Sequence, residues 1–205
     1  LNVMYNGSSI DAVTKARAAQ YAENVYFGKP CGLLDQSAIS LGGVSYIDFK
    51  SIEDLEIANV EWTFSDLDIV LTNTGGDHAD LTDQYASIRS EMEDVAAAMG
   101  AKTLRGVDEG KFWKDIPKLQ RKVSGRAILR AIHFFNENRR VEKALDAGRT
   151  CDIVKFGEMI GESGASSYQL LQNCYPLGDT AQRIPLALAV GGRMPGGLAT
   201  RVHGG

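Results

Sequence analysis

The chain has 205 residues, 44% of them hydrophobic and 23% charged, with a formal net charge of −4. That length exceeds the common domain size of about 100–150 residues, so one large or two small domains are expected, with a real core. The balance excludes a disordered polymer and a basic nucleic-acid binder, and the longest apolar run, IPLALAV at 184–190, is far short of the roughly 18 residues of a membrane span.

From Ser8 to Gly28 the sequence SSIDAVTKARAAQYAENVYFG carries apolar residues at Val13, Ala16, Ala19 or Gln20, and Val25. This spacing predicts a helix with Ser8 or Ser9 as N-cap and Gly28 as its stop. KPCGLLDQSAISL follows and can form a short helix, while VSYIDF, VEWTF and DIVLTNT read as strands from their β-branched and aromatic content. Helical periodicity then takes over at 82–99 (Tyr85, Ile88, Met92, Val95 or Ala96, Met99), at 124–146 (Ile128, Ile132, Phe135, Val141, Leu145) and at 150–163. A weaker helical stretch covers 165–173, and 184–190 is helical or extended. Strands followed by helices predict an α+β chain with a boundary near the GGD at 75–77.

Cys31, Cys151 and Cys174 are odd in number, far apart and without metal-ligand spacing, which points to a reducing, cytoplasmic compartment. The first residue is not Met, and the last two lie in a glycine-rich run, so the chain reads as a piece of a longer protein.

Three stretches carry chemistry. In KPCGLLDQSA, Asp35 stands behind Leu33 and Leu34, after a turn set by Pro30 and Gly32. A carboxylate at such a loop-to-element junction serves either as a helix cap or as a catalytic group aimed into a cleft. In TGGDHADLTDQY, at 74–85, Asp77, His78, Asp80, Asp83 and Tyr85 crowd the entry to a helix. Their spacing matches no tetrahedral or EF-hand metal pattern, and no metal ligand is assigned; Asp80, Thr82 or Asp83 reads as a cap. Tyr85 falls on the apolar stripe, so its residue-level reading is a core or interface aromatic whose hydroxyl needs a partner. The glycines of ATRVHGG, at 199–205, suit either a turn or a close approach to phosphate.

In this order and spacing the three stretches resemble the galactokinases of the GHMP sugar-kinase superfamily along nearly the whole chain. AENVYFGKPCGLLDQ is similar to the family segment ending in CGIMDQ, HADLTDQYASIRSEMEDV to HSLASSEYPVRRRQCEEV, and TRVHGG to the start of RMTGGGFGG. The resemblance implies that Asp35 is the catalytic carboxylate and that Gly32, Asp35 and Tyr85 meet the sugar. It also implies that Gly204 and Gly205 belong to the nucleotide site. His203 departs from the usual Thr, and Ala86-Ser87-Ile88 from Pro-Val-Arg. The implied fold is a two-domain α+β GHMP kinase with its active site between the parts. Residues 1–75 would be the second half of the N-terminal domain, and 76–205 most of the helix-rich C-terminal domain. The motifs resembling GRVNLIGEHTDY and PxGxGLSSSA, including the Arg that assists Asp35, would lie upstream.

The implied activity is transfer of the γ-phosphoryl group of ATP, with Mg²⁺, to the anomeric hydroxyl of galactose, in a monomer or weak homo-oligomer. Neither nucleic acid nor membrane is expected as a partner. The alternatives are a catalytically silent sensor of galactose or ATP, or a related kinase acting on another sugar.

Overall fold

The computed structural model describes residues 2–28, 31–62, 64–75, 82–176 and 178–203, the side chains of Thr82 and Asp83 excepted. Two compact units emerge, Leu1–Thr63 and Phe64–Gly205. The division falls ahead of the boundary expected near 75 because residues after 63 are tied into the second unit. Phe64 is buried and packs on Phe156 with ring centroids 5.2 Å apart, and the Gly75 carbonyl accepts from Arg183.

In the first unit a short helix α1 (Asn2–Asn6) precedes α2 (Ala12–Tyr21), which continues as a π-helical turn over Ala22–Tyr26. The N-cap of α2 is Asp11, not Ser8 or Ser9. Its carboxylate accepts from the Thr14 N–H at 2.9 Å and from the Thr14 hydroxyl at 2.6 Å, satisfying two donors at once. The expected stop holds, since the Phe27 N–H returns to the Ala22 carbonyl and Gly28 adopts φ +64°.

Helix α3 (Leu34–Leu41) packs against α2, where Ala16 is fully buried, and Gly42 and Gly43, both at positive φ, turn the chain into a hairpin. Its strands, β1 (Val44–Asp48) and β2 (Glu56–Val60), pair antiparallel with Val44 opposite Val60 and Asp48 opposite Glu56. Arg17 of α2 holds the hairpin loop by donating to the Ile52 and Glu53 carbonyls at 2.8 and 2.7 Å.

Two expected strands are corrected. The second strand ends at Val60, where VEWTF was expected to begin, and DIVLTNT forms no strand at all. Ile69, Val70 and Leu71 are about 80% exposed. Strand propensity is realised only against a partner, and 68–74 finds none among the described residues.

The second unit is helical: α4 (Thr82–Ala98), a 3₁₀ turn at Leu104–Gly106, α5 (Glu109–Leu119), α6 (Gly125–Arg149), α7 (Ile153–Ser166) with a π-helical turn over Ser167–Leu171, and α8 (Arg183–Gly191). Asp108, Ser124 and Asp152 cap α5, α6 and α7 through the N–H groups of Lys111, Ala127 and Lys155. The core joins Val95 and Ala96 of α4, Leu104 of the 3₁₀ turn, Phe112 and Leu119 of α5, and Ala127, Ile128, Ala131 and Phe135 of α6. Helix α5 was not read from the sequence, and Val141, expected on the buried stripe of α6, is 46% exposed.

Polar groups are also buried here. Glu91 accepts from Arg126 Nε and Nη2 at 3.0 and 2.5 Å and from Arg130 Nη1 at 2.9 Å, and Arg130, only 4% exposed, donates Nε to the Leu171 carbonyl at 3.1 Å. His133 lies buried in α6 with Nδ1 2.9 Å from Ser166 Oγ.

Burial lowers the His133 pKa, and the nearby charges of Arg140 and Arg201 add to this, while Glu137 and a hydrogen bond to the Ser166 backbone carbonyl oppose it. Its ordinary value is 6.5. With the folded value below that, the unfolded chain binds the extra proton as pH falls through about 6.5, so stability declines on acidification and levels off once pH is below the folded value. Urea unfolding at pH 7.5 and 5.5 is expected to show a lower midpoint at 5.5, and His133→Gln should reduce that difference. An equal midpoint shift in both proteins would assign the pH dependence to other groups.

Candidate active site

Asp35 is the second residue of α3 and is exposed, beside the unpaired N–H groups of the first turn. It is not the cap: Leu33 occupies that place with no side-chain cap bond. The two preceding leucines divide. Leu33 is 5% exposed and anchors the turn, whereas Leu34 is 58% exposed and anchors nothing on the protein side. An anchored Leu33 with an exposed Asp35 is what the 100° step of a helix produces over two residues.

The approach to Asp35 is held by side chains of the preceding helix. The Cys31 N–H donates to Asn24 Oδ1 at 2.8 Å, and Gln20 Nε2 donates to the Cys31 carbonyl at 3.2 Å. From within α3, Gln36 Nε2 lies 3.1 Å from Glu23 Oε2 and 3.3 Å from Cys31 Sγ. Both backbone groups of Cys31 are thereby engaged just before Gly32. Gln20 was read only as a possible stripe position, and Glu23 and Asn24 look like solvated polar positions on a helical wheel; only the return of the chain reveals their partner.

Gly32 is exposed, its φ lies outside the left-handed region, and an added Cβ would meet open space. The turn therefore makes no backbone demand for glycine, although the sequence suggested one. Tyr85 lies in the first turn of α4 in the second unit and is 41% exposed. It belongs to the start of the stripe but stands outside the core that Val95 and Ala96 join.

Gly204 and Gly205, and with them Asp77, His78 and Asp80, lie outside the described residues, as do the side chains of Thr82 and Asp83. No group of three or more His, Cys, Asp or Glu side chains gathers as a metal site among the described residues. Among the described residues no helix is long and apolar enough to cross a membrane.

No protein-family model matches the chain. Individual relatives do. The chain is 30% identical over 193 residues to a galactokinase of Homo sapiens, covering 93% of the chain and 46% of that protein. It is 34% identical over 151 residues to a galactokinase of Actinobacillus pleuropneumoniae (72% and 38%), and 30% identical over 201 residues to one of Mycobacterium tuberculosis (93% and 52%). The fold is similar to that of a crystal structure of Lactococcus lactis galactokinase complexed with galactose, at a TM-score of 0.69 and 21% identity, covering 98% of this chain and 50% of that one. This supports the expected GHMP-type α+β fold. The chain thus spans about half the length of the curated relatives it matches, and on sequence and fold together it is a homologue of the galactokinases.

Proposed function

We propose that the full-length protein containing this chain is a galactokinase, which transfers the γ-phosphoryl group of ATP to the anomeric hydroxyl of galactose in the cytoplasm. The observation that carries this reading is the CGLLDQ segment, with Asp35 exposed in a first helical turn whose approach is fixed through Cys31. Phosphoryl transfer needs positioning and charge stabilisation more than covalent chemistry, and such a carboxylate suits a proton acceptor. As the sugar oxygen forms its bond to phosphorus and the bond to the ADP oxygen breaks, the hydroxyl proton passes to Asp35. Mg²⁺, when bound with the nucleotide, neutralises phosphate charge. Gly32 leaves room for the sugar ring beside the carboxylate, and Gly204 and Gly205 are assigned to the nucleotide.

Tyr85 is assigned to the sugar. Its partial exposure favours this over a core role. Tyr85→Phe is expected to weaken galactose binding by about 0.5–1.5 kcal/mol, the net worth of one hydrogen bond, with little change in thermal stability. Calorimetric titration and a melting curve check both parts. A large loss of stability with unchanged affinity would return Tyr85 to the core.

The function as a whole is tested by assaying the full-length protein with MgATP against galactose, arabinose, galacturonate and an N-acetylated hexosamine. The highest kcat/KM is expected for galactose. Sugar binding without turnover of any of them would favour the sensor reading.

A further inference from the structure

Helix α7 has 14 residues and contains three glycines, Gly157, Gly161 and Gly164. Glycine in a helix interior is poorer than alanine in propensity, so three on one face, spaced by four and then three residues, ask for a reason in packing. The segment Leu198–Val202 lies along that face. A Cβ on Gly164 would fall 2.6 Å from the Thr200 carbonyl oxygen, 3.0 Å from Arg201 Cβ and 3.2 Å from Arg201 Cα. Two of those three atoms are backbone, which cannot swing aside as a side chain can. A Cβ on Gly157 would collide with the branched end of Leu198, whereas one on Gly161 would stand 4.0 Å from Ala199 Cβ, an ordinary contact. From the other side, Gly191 at the end of α8 approaches the same segment, since its added Cβ would lie 3.2 Å from Thr200 Cγ2.

Polar contacts fix the segment along its own direction. Arg201 Nη1 donates to Ser163 Oγ at 2.9 Å, and Ser163 Oγ donates to Glu137 Oε2 of α6 at 2.8 Å. Ser163 is 3% exposed, and Glu137 is itself held by Arg140. The next residue, Val202, is buried. Sliding the segment by one residue would place Thr200 or Val202 where the Arg201 guanidinium meets Ser163, and neither can donate as a guanidinium does.

We infer that Gly164, Ser163 and Glu137 form an intramolecular seat that sets the register of Leu198–His203, and that they are positioning residues for the glycine run immediately after it. The kinetic consequence rests on the proposed kinase function, in which that run serves the nucleotide; the seat itself does not.

The test uses the full-length protein with Gly164→Ala, Ser163→Ala and Gly161→Ala. Amide hydrogen exchange is read for Leu198–His203, and KM for MgATP and for galactose are read separately. Alanine favours an isolated helix over glycine, so faster exchange of Leu198–His203 in Gly164→Ala reports the clash and not a weakened α7. Ser163→Ala, which adds no bulk, should also speed exchange there, and Gly161→Ala should leave it near wild type. Misplacement of a binding segment by about 1 Å can cost 100-fold, so kcat/KM for MgATP is expected to fall about 100-fold in Gly164→Ala while KM for galactose holds.

If Gly164→Ala does not fold, Ser163→Ala decides through the same two readouts. Unchanged exchange in the folded variants overturns the seat, and accelerated exchange with unchanged MgATP kinetics overturns the positioning role. A wild-type protein that turns over no sugar overturns the kinase reading instead, and the exchange data then still decide the seat.

Discussion

Asp35→Asn in the full-length protein is expected to lower kcat for galactose phosphorylation by about 10²–10⁴, the usual cost of losing a general base. The amide keeps the shape of the carboxylate but cannot accept the hydroxyl proton. Asp35 is exposed in the first turn of α3 and caps nothing with its side chain, so the melting temperature should move little. Losing a first-turn carboxylate costs about 0.3–1 kcal/mol at most exposed sites. Steady-state kinetics beside a melting curve separate the two effects. A variant retaining more than a few per cent of wild-type turnover would remove Asp35 from the chemistry.

The largest expected loss of stability lies in the second unit, at Glu91. Arg130 is 4% exposed, and its guanidinium has Glu91 as carboxylate partner at 2.9 Å, with Ser87 Oγ at 3.2 Å and the Leu171 carbonyl at 3.1 Å. Burial pushes the Arg130 pKa below its ordinary value, and the Glu91 charge works against that shift. Glu91→Ala leaves this cation buried without a counter-charge, which typically costs about 3–5 kcal/mol. Arg126, with a side chain 37% exposed, can turn to water and loses less. Removing both charges together, as Glu91→Leu with Arg130→Met, should recover most of the loss, because the cost comes from the orphaned charge and not from an attractive pair. Urea unfolding of the two variants checks this. A single-variant loss below about 1 kcal/mol would mean that the guanidinium reaches solvent or another anion.

The helices of the second unit were legible because their buried residues recur at the helical period over long spans. The runs at 82–99 and 124–146 correspond to α4 and α6 within a few residues. Helix α5 escaped because Gly110 and Pro117 stand inside it, although Asp108 as cap and Phe112, Ile116 and Leu119 at helical spacing were available as signals. The strands were less legible for a physical reason: Ile69, Val70 and Leu71 satisfy any propensity scale, but a ladder requires a second chain segment that local sequence does not specify. The contact of Phe64 with Phe156 was not legible for the same reason, since it spans residues far apart in sequence.

At the candidate site, the resemblance at CGLLDQ drew attention to Asp35 and Gly32, and the helical step explains why only one of the two leucines is buried. The tethers from Gln20 and Asn24 to Cys31 were invisible, because polar residues one turn apart on a helix look alike whether they face water or a returning loop.

The most direct test of the central claim is to incubate the full-length protein with MgATP and ¹³C-labelled galactose and identify the product by ³¹P and ¹³C nuclear magnetic resonance. Stoichiometric ADP and a phosphorus coupled to the anomeric carbon are expected with the wild type and should be nearly absent with Asp35→Asn. Phosphate on any other carbon, or saturable galactose binding with no product, would contradict that claim.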